Sequence, residues 1–197
     1  MFTGIVAEIG TVASVAAAPG GRTLTIDAPM TSAGLRVGDS VAVNGVCLTV
    51  VATRGDRFDV EAIPETLARS NLGSLEAGGA VDLERPVAAD GRFDGHVVQG
   101  HVDGVATVRS VDRDGDSVRM WFDLDAEHLR FVVEKGSIAL DGVSLTVAGL
   151  DDRGLEVALI PHTLDHTVLG MRTPGDEVNV EVDILAKYVE RLLGARP

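Results

Sequence analysis

A chain that repeats itself at a fixed offset folds as copies of one unit, and this sequence does so. Positions 40–84 align with 137–181 at an offset of 97 without a gap, and 17 of the 45 pairs are identical. Ser40–Val50 falls on Ser137–Val147, Ile63–Leu67 on Ile160–Leu164, and Leu72-Gly73 on Leu169-Gly170. The openings match at an offset of 96, where Gly4–Val6 faces Gly100–Val102 and Thr11-Val12 faces Thr107-Val108. The chain is therefore a duplication with its boundary near 87–97. We expect an N-terminal barrel over 1–96, a C-terminal barrel over 97–183 and a terminal helix over 184–197.

Each copy reads as short strands. Ser40–Val43 and Val46–Val51 are apolar or alternating, and Asn44-Gly45 stands between them. Asn-Gly favours a two-residue hairpin because both turn positions need positive φ, and Asp141-Gly142 meets the same demand in the second copy. Arg22–Asp27, Phe58–Ala62, Val118–Phe122 and Leu155–Leu159 alternate as well.

 

About six strands in some 90 residues is too few for a large sandwich and suits a small closed barrel, which also removes exposed sheet edges. The fold class expected is all-β: two tandem six-stranded antiparallel barrels and a C-terminal α-helix. Pro64 and Pro161 each start what reads as one helical turn. Over Ile184–Leu193 apolar residues recur every fourth position, which predicts an amphipathic helix stopped by Gly194 and Pro197. A helix that short is marginal in water, so it needs a surface, either its own barrel or a neighbouring subunit.

Apolar residues make up 45% of the chain, enough to bury a sizeable core, and the net charge of −13 argues against binding nucleic acid. The one cysteine, Cys47, excludes an intrachain disulfide. No basic-then-apolar leader opens the sequence, and no apolar run approaches the ~20 residues that span a bilayer. These features lead us to expect a cytoplasmic protein without membrane contact. No metal site is expected: His96 and His101, five apart, would face opposite sides of a strand, while His162 and His166, four apart, lack a third ligand. Several polar residues also have plain structural readings. Cys47 can be a small buried hydrophobe, Asp183 a helix cap, Lys135 a solvated loop charge, and Thr49 and Thr146 ordinary strand residues.

The opening Met1–Val6, the hairpins Asn44–Val50 and Asp141–Val147, Glu65–Leu67 with Asn71–Gly73, Gly95–Val102, and Lys135-Gly136 together resemble the riboflavin synthase alpha-chain family over the whole chain. The resemblance implies Greek-key barrels, no cofactor, and a homotrimer held by the terminal helix, with active sites between subunits. It implies a transferase that dismutates two molecules of 6,7-dimethyl-8-ribityllumazine by moving a four-carbon unit, giving riboflavin and 5-amino-6-ribitylaminouracil. The ligand positions it implies are Gly4, Ile5 and Val6 with Cys47, Leu48 and Thr49 and with Glu61, Ala62, Ile63, Pro64, Glu65 and Thr66, serving the first copy. Gly100, His101 and Val102, Ser144, Leu145 and Thr146, and Ile160, Pro161, His162, Thr163, Leu164 and Asp165 serve the second, with Lys135 as a further contact. Cys47, His101, Ser144, Asp183 and Ser40 are the catalytic candidates. A histidine can carry a proton near neutral pH, and a thiol or hydroxyl can supply a nucleophile or a polar contact. The copies differ at Cys47/Ser144, Ile5/His101 and Glu65/His162, as a donor site and an acceptor site must. A different class of protein shares the duplicated barrel, the lumazine proteins that bind such a ligand without catalysis. Intact Gly100–Val102 and Ser144–Thr146 segments favour the enzyme.

Overall fold

The computed structural model describes residues 1–194. Strands β1 (Glu8–Ala18), β2 (Gly21–Asp27), β3 (Ser40–Val43), β4 (Val46–Arg54), β5 (Arg57–Ala62) and β6 (Ala80–Glu84) close into one antiparallel barrel. Strands β7 (Gly104–Asp114), β8 (Ser117–Asp123), β9 (Ser137–Leu140), β10 (Val143–Leu150), β11 (Gly154–Leu159) and β12 (Glu177–Val182) close the second. The strand order around each barrel is the same, β1-β2-β5-β4-β3-β6 and its copy. Bulges recur at matching places, after Val12 and Val108 and after Val50 and Val147. A bulge bends its strand, and two in each barrel, at matching places, help curl each sheet into closure.

Each barrel holds its own core. Leu24, Ile26, Phe58 and Leu83 fill the first, while Met120, Phe122, Leu140 and Leu155 fill the second, all essentially excluded from solvent. Short helices plug the gaps: α1 (Pro29–Ser32), α2 (Pro64–Arg69), α3 (Ala126–Leu129) and α4 (Pro161–His166). The Pro-initiated turns expected from the sequence are thus six-residue helices, each followed by a 3-10 turn, Asn71–Ser74 and Val168–Met171. The terminal helix α5 runs Ile184–Gly194, and Asp183 caps it by accepting the Leu185 amide at 2.9 Å. Pro197, the expected stop, lies outside the described residues. Among the described residues no helix is long and apolar enough to cross a membrane.

The two barrels meet where their hairpin turns touch. Asn44 and Gly45 have φ of 45° and 77°, and Asp141 and Gly142 have 47° and 84°, so both turns are of the positive-φ type that the residue pairs predict. The turns lie back to back. A Cβ on Gly45 would stand 2.7 Å from the Gly142 nitrogen, and a Cβ on Gly142 equally close to the Gly45 nitrogen. Only glycine permits that approach of main chain to main chain.

Around this contact runs a buried polar seam. The Asn179 side-chain amide donates to the Asn44 carbonyl at 2.8 Å and to Asn71 Oδ1 at 2.9 Å. Asn71 Nδ2 donates to Asp141 Oδ1 at 2.7 Å, and the Asn71 amide to Asn179 Oδ1 at 2.6 Å. Asp141, fully buried, also takes two bonds from the Arg172 guanidinium, at 2.6 and 3.2 Å. The offset of 97 places Asp141 on Asn44 and Arg172 on Leu75. The second copy thus carries a charge with its counter-charge where the first carries an amide and a leucine. Arg172→Leu leaves the Asp141 carboxylate without its cation and is expected to cost about 3–5 kcal/mol in urea denaturation. Adding Asp141→Asn, which copies the first repeat, should recover most of that loss.

Candidate functional site

The segments before β1 and β7 do not stay with the barrels they precede. The Gly4 carbonyl accepts the Ser144 amide at 2.7 Å, on β10 of the second barrel. The Gly100 carbonyl accepts the Cys47 amide at 2.8 Å, on β4 of the first. Val6 packs against the second core and Val102 against the first. Sequence alone had assigned each segment to its own repeat, and the geometry corrects this: the two straps are exchanged. Cys47, Ser40 and Thr49 therefore share a flank with Gly100–Val102, and Ser144 and Thr146 with Gly4–Val6. Gly4 and Gly100, both at φ 77°, lie so near Ser144 and Cys47 that a Cβ on either would fall 2.6 Å from the opposing Cβ.

Two buried carboxylates hold the straps. Glu84 accepts the Thr3 amide (2.7 Å), the Thr3 hydroxyl (2.8 Å) and the Gly4 amide (2.9 Å). Its copy Glu181 accepts the amides of Gln99, Gly100 and His101 at 2.7, 2.8 and 3.0 Å. Burial pushes both carboxyls above their ordinary range, against the pull of these donors. Between the straps, Phe2 and Val98 exchange main-chain hydrogen bonds at 2.7 and 3.1 Å. They form a small apolar cluster with Ala42 and Ala139, against which Cys47 rests. Residues 95–103 form this strap and no named strand, so the expected opposite-facing of His96 and His101 on a strand does not apply. Neither glutamate was among the sequence candidates. Their identity at the 97 offset was the available signal.

On the hairpins the alternation decides which candidates can touch a ligand with a side chain. Leu48 is buried in the first core and Leu145 packs on the second, so at these positions only the main chain faces outward. Cys47 and Thr49 point the other way, opposite Ala42 and Ser40 on β3. Ser144 and Thr146 stand likewise opposite Ala139 and Ser137. Glu61, exposed, and Ala62, buried, end β5. Ile63 and Ile160 lie exposed at the helix entries that Pro64 and Pro161 begin, with Thr66 and Thr163 half-buried. Leu164 packs on the second core and Asp165 is exposed.

The copies diverge as pairs. Glu65 forms an ion pair with Arg69 one turn on. At the matching positions His162 stacks on His166 with ring centroids 4.1 Å apart, and His166 Nδ1 lies 2.8 Å from the His162 carbonyl. Both partners changed together, so each i,i+4 contact is kept by different chemistry. Ile5 and His101 sit exposed at the tips of the exchanged straps. Lys135, exposed at φ 64°, turns the chain into β9.

One further side chain enters the site, and the sequence candidates did not include it. His96 Nδ1 lies 2.7 Å from Ser144 Oγ. Burial lowers the imidazole's proton affinity, and the nearby Asp183 carboxylate opposes that. His96, Ser144 and Asp183 are thus brought to one place by the strap, β10 and the start of α5. Asp183 also lines a groove of about 410 Å³ beneath α5, together with Phe131, Val133 and Val189. Among the described residues no cluster of histidine, cysteine and acidic side chains suits a metal.

The lumazine-binding domain family matches residues 3–86 and again 99–183, one match per barrel. A riboflavin synthase of Mycobacterium tuberculosis is 50% identical, with 98% of each chain covered. The chain belongs to the riboflavin synthase family. Members from Actinobacillus pleuropneumoniae (41% identical, 100% of this chain and 92% of that one) and Saccharomyces cerevisiae (43%, 97% and 85%) agree over nearly the full length. Among solved structures, LumP complexed with riboflavin superposes with a TM-score of 0.85 at 26% identity, covering 92% of this chain and 99% of that one. LumP complexed with 6,7-dimethyl-8-(1'-D-ribityl) lumazine gives 0.84 at 24%, with the same coverage. The exchanged straps lay residues of one repeat against the hairpin of the other.

Glu181→Ala removes the acceptor of three strap amides. We expect it to destabilise the chain by roughly 2–4 kcal/mol. Hydrogen exchange should rise at Gln99, Gly100 and His101 while the Thr3 and Gly4 amides, held by Glu84, stay protected.

Proposed function

We propose that this chain is a riboflavin synthase that disposes two molecules of 6,7-dimethyl-8-ribityllumazine in paired clefts. It moves a four-carbon unit from one to the other, yielding riboflavin and 5-amino-6-ribitylaminouracil. The observation that carries the reading is the duplicated strap-on-hairpin arrangement. Each of the two is built from a glycine strap of one repeat (Gly4–Val6 or Gly100–Val102) laid against the outward face of the other repeat's hairpin. A reaction between two identical molecules calls for two similar seats, and the family membership supplies the ligand.

The chemistry follows from what the residues can do. The lumazine C7 methyl is acidic because its anion delocalises over the ring, so proton transfer needs a positioned, mostly neutral base. Burial lowers the proton affinity of His96, and its Nδ1 lies within hydrogen-bond reach of the Ser144 hydroxyl; in the tautomer with Nδ1 unprotonated it accepts that hydroxyl and leaves a serine lone pair free for a ligand. Cys47 takes the Ser144 position in the other cleft, against the Phe2–Val98 cluster instead of an imidazole. The two seats therefore differ in proton chemistry, which suits one for giving and the other for accepting the four-carbon unit. His101 at the exposed strap tip is the second candidate proton carrier, and Ser40 and Asp183 complete the polar set. Main-chain groups beside Leu48 and Leu145 can read the pyrimidinedione edge, and Thr49, Thr66, Thr146 and Thr163 the ribityl hydroxyls. Holding the rings in register supplies much of the rate.

The assembly proposed is a homotrimer with clefts completed between subunits. Its support is α5, on which Leu185, Tyr188, Val189, Leu192 and Leu193 remain more than half exposed in the single chain. An apolar row of that size favours a partner surface. A chain ending at Asp183 should run as a monomer in light scattering where the full chain runs as a trimer. A monomeric full chain would remove the inter-subunit site.

Incubation with 6,7-dimethyl-8-ribityllumazine, followed by absorbance, should yield riboflavin with no added cofactor. Tight binding without riboflavin would instead make the chain a lumazine-binding protein. Ser144→Ala and His96→Gln are each expected to lower kcat by about tenfold or more with little change in lumazine affinity.

A further inference from the structure

The buried seam between the barrels holds an acid with an oxygen left over. Asp82, on β6, is 2% exposed, and its Oδ2 has no hydrogen-bond partner. Its Oδ1 accepts the Val168 amide at 2.9 Å. At the 97 offset, Asp82 falls on Asn179, Asn44 on Asp141, and Asn71 on Val168. The Val168 bond to Oδ1 is the exact counterpart in kind of the Asn71 amide's bond to Asn179 Oδ1. The pseudosymmetry then assigns the other atom. Asn179 Nδ2 donates to the Asn44 carbonyl, so Asp82 Oδ2 stands in the place that faces the Asp141 carbonyl.

Two carbonyl-type oxygens cannot bond each other without a proton between them. We propose that Asp82 is held as a neutral carboxylic acid whose Oδ2 hydroxyl donates to the Asp141 main-chain carbonyl, making the seam between the barrels sensitive to alkaline pH. The neighbouring substitution fits the donor count. A carboxamide has two N–H donors and a carboxylic acid has one O–H. Asn179 uses its two on the Asn44 carbonyl and Asn71 Oδ1. Opposite Asp82 the Asn71 position is Val168, which offers no second acceptor, and none is needed.

The surrounding charges agree. Asn44 and Asn179 face the seam from the first turn and β12 without charge, and Ile9 pairs with Asp82 from β1. The charged groups acting on Asp82 are Asp141, which repels its ionisation, and Arg172, which favours it. Arg172 is already engaged by Asp141, whose two oxygens receive four N–H donors that oppose the upward push of burial on its own carboxyl. An ionised Asp82 would add an unbalanced charge to a buried network. Burial, the largest influence, pushes the Asp82 carboxyl up to about 8.

The linkage has a definite sign. An unfolded aspartate titrates near ~3.9, so the folded chain keeps a proton that the unfolded chain releases. The stabilisation is fully present below that value and is lost as pH rises through about 8. Within that window the folded-to-unfolded ratio contributed by Asp82 should fall by roughly tenfold per pH unit.

The test compares urea denaturation of the full chain and of Asp82→Asn from pH 5 to 9. The wild-type curve should fall relative to the variant with the stated slope, so that the variant gains rank as pH rises and is the more stable at pH 9. A constant difference across the range would overturn the proposal. Carbon-13 NMR of aspartate carboxyls in the wild-type chain reads the proton directly and does not depend on the variant folding. One resonance, absent from Asp82→Asn if that variant folds, should remain in its protonated position at pH 6. Finding every aspartate carboxyl ionised at pH 6 would equally overturn it.

Discussion

Everything in this molecule is arranged about one contact, the meeting of two hairpin turns whose glycines leave no room for a side chain on either. Once Gly45 and Gly142 touch, the rotation relating the barrels is set. Two turns that pass main chain to main chain cannot slide without losing the bonds of Asn44, Asn71, Asp141 and Asn179 around them. That rotation brings β4 of one barrel and β10 of the other within reach of the straps. The strap-on-hairpin arrangement is thus a by-product of how the barrels dock, and neither barrel could form it from its own residues alone.

The straps show how a loop without regular structure can be fixed firmly enough to position chemistry. Gly4 and Gly100 each spend one carbonyl on the opposite hairpin and one amide on a buried glutamate of their own barrel. A strap is therefore tied at both polar ends of a single residue. Charge-assisted bonds to carboxylates are stronger than neutral ones, and their burial removes competition from water. The cost is a pair of buried acids, each met by three donors: two amides and a hydroxyl at Glu84, three amides at Glu181.

Much of the fold was legible because its signals are local and doubled. Asn44-Gly45 and Asp141-Gly142 marked the hairpins, alternation marked the strands, and the offset of 97 tied one half to the other. The exchange of straps was not legible. Gly4–Val6 matches Gly100–Val102, but likeness between segments carries no information about which barrel each will cross to. Nor was His96. It lies at the start of the second strap, where the repeat gives it no partner to be compared with, and only the folded chain brings it to Ser144. The glutamates Glu84 and Glu181 were conspicuous as identities yet read as ordinary strand ends, since alternation does not reveal that a charge at a strand terminus faces inward.

The seam residues also say something about what joining two copies in one chain makes possible. In a symmetric dimer of a single repeat, every position on the dyad meets its own twin, so an aspartate would oppose an aspartate and an arginine would have to be present on both sides. Here the pair Asp141–Arg172 occurs once, against Asn44 and Leu75. A covalent linker releases the halves from that obligation. Each side can then be fitted to the other's departures, as the contacts of Gly100 with Cys47 and of Gly4 with Ser144 also differ.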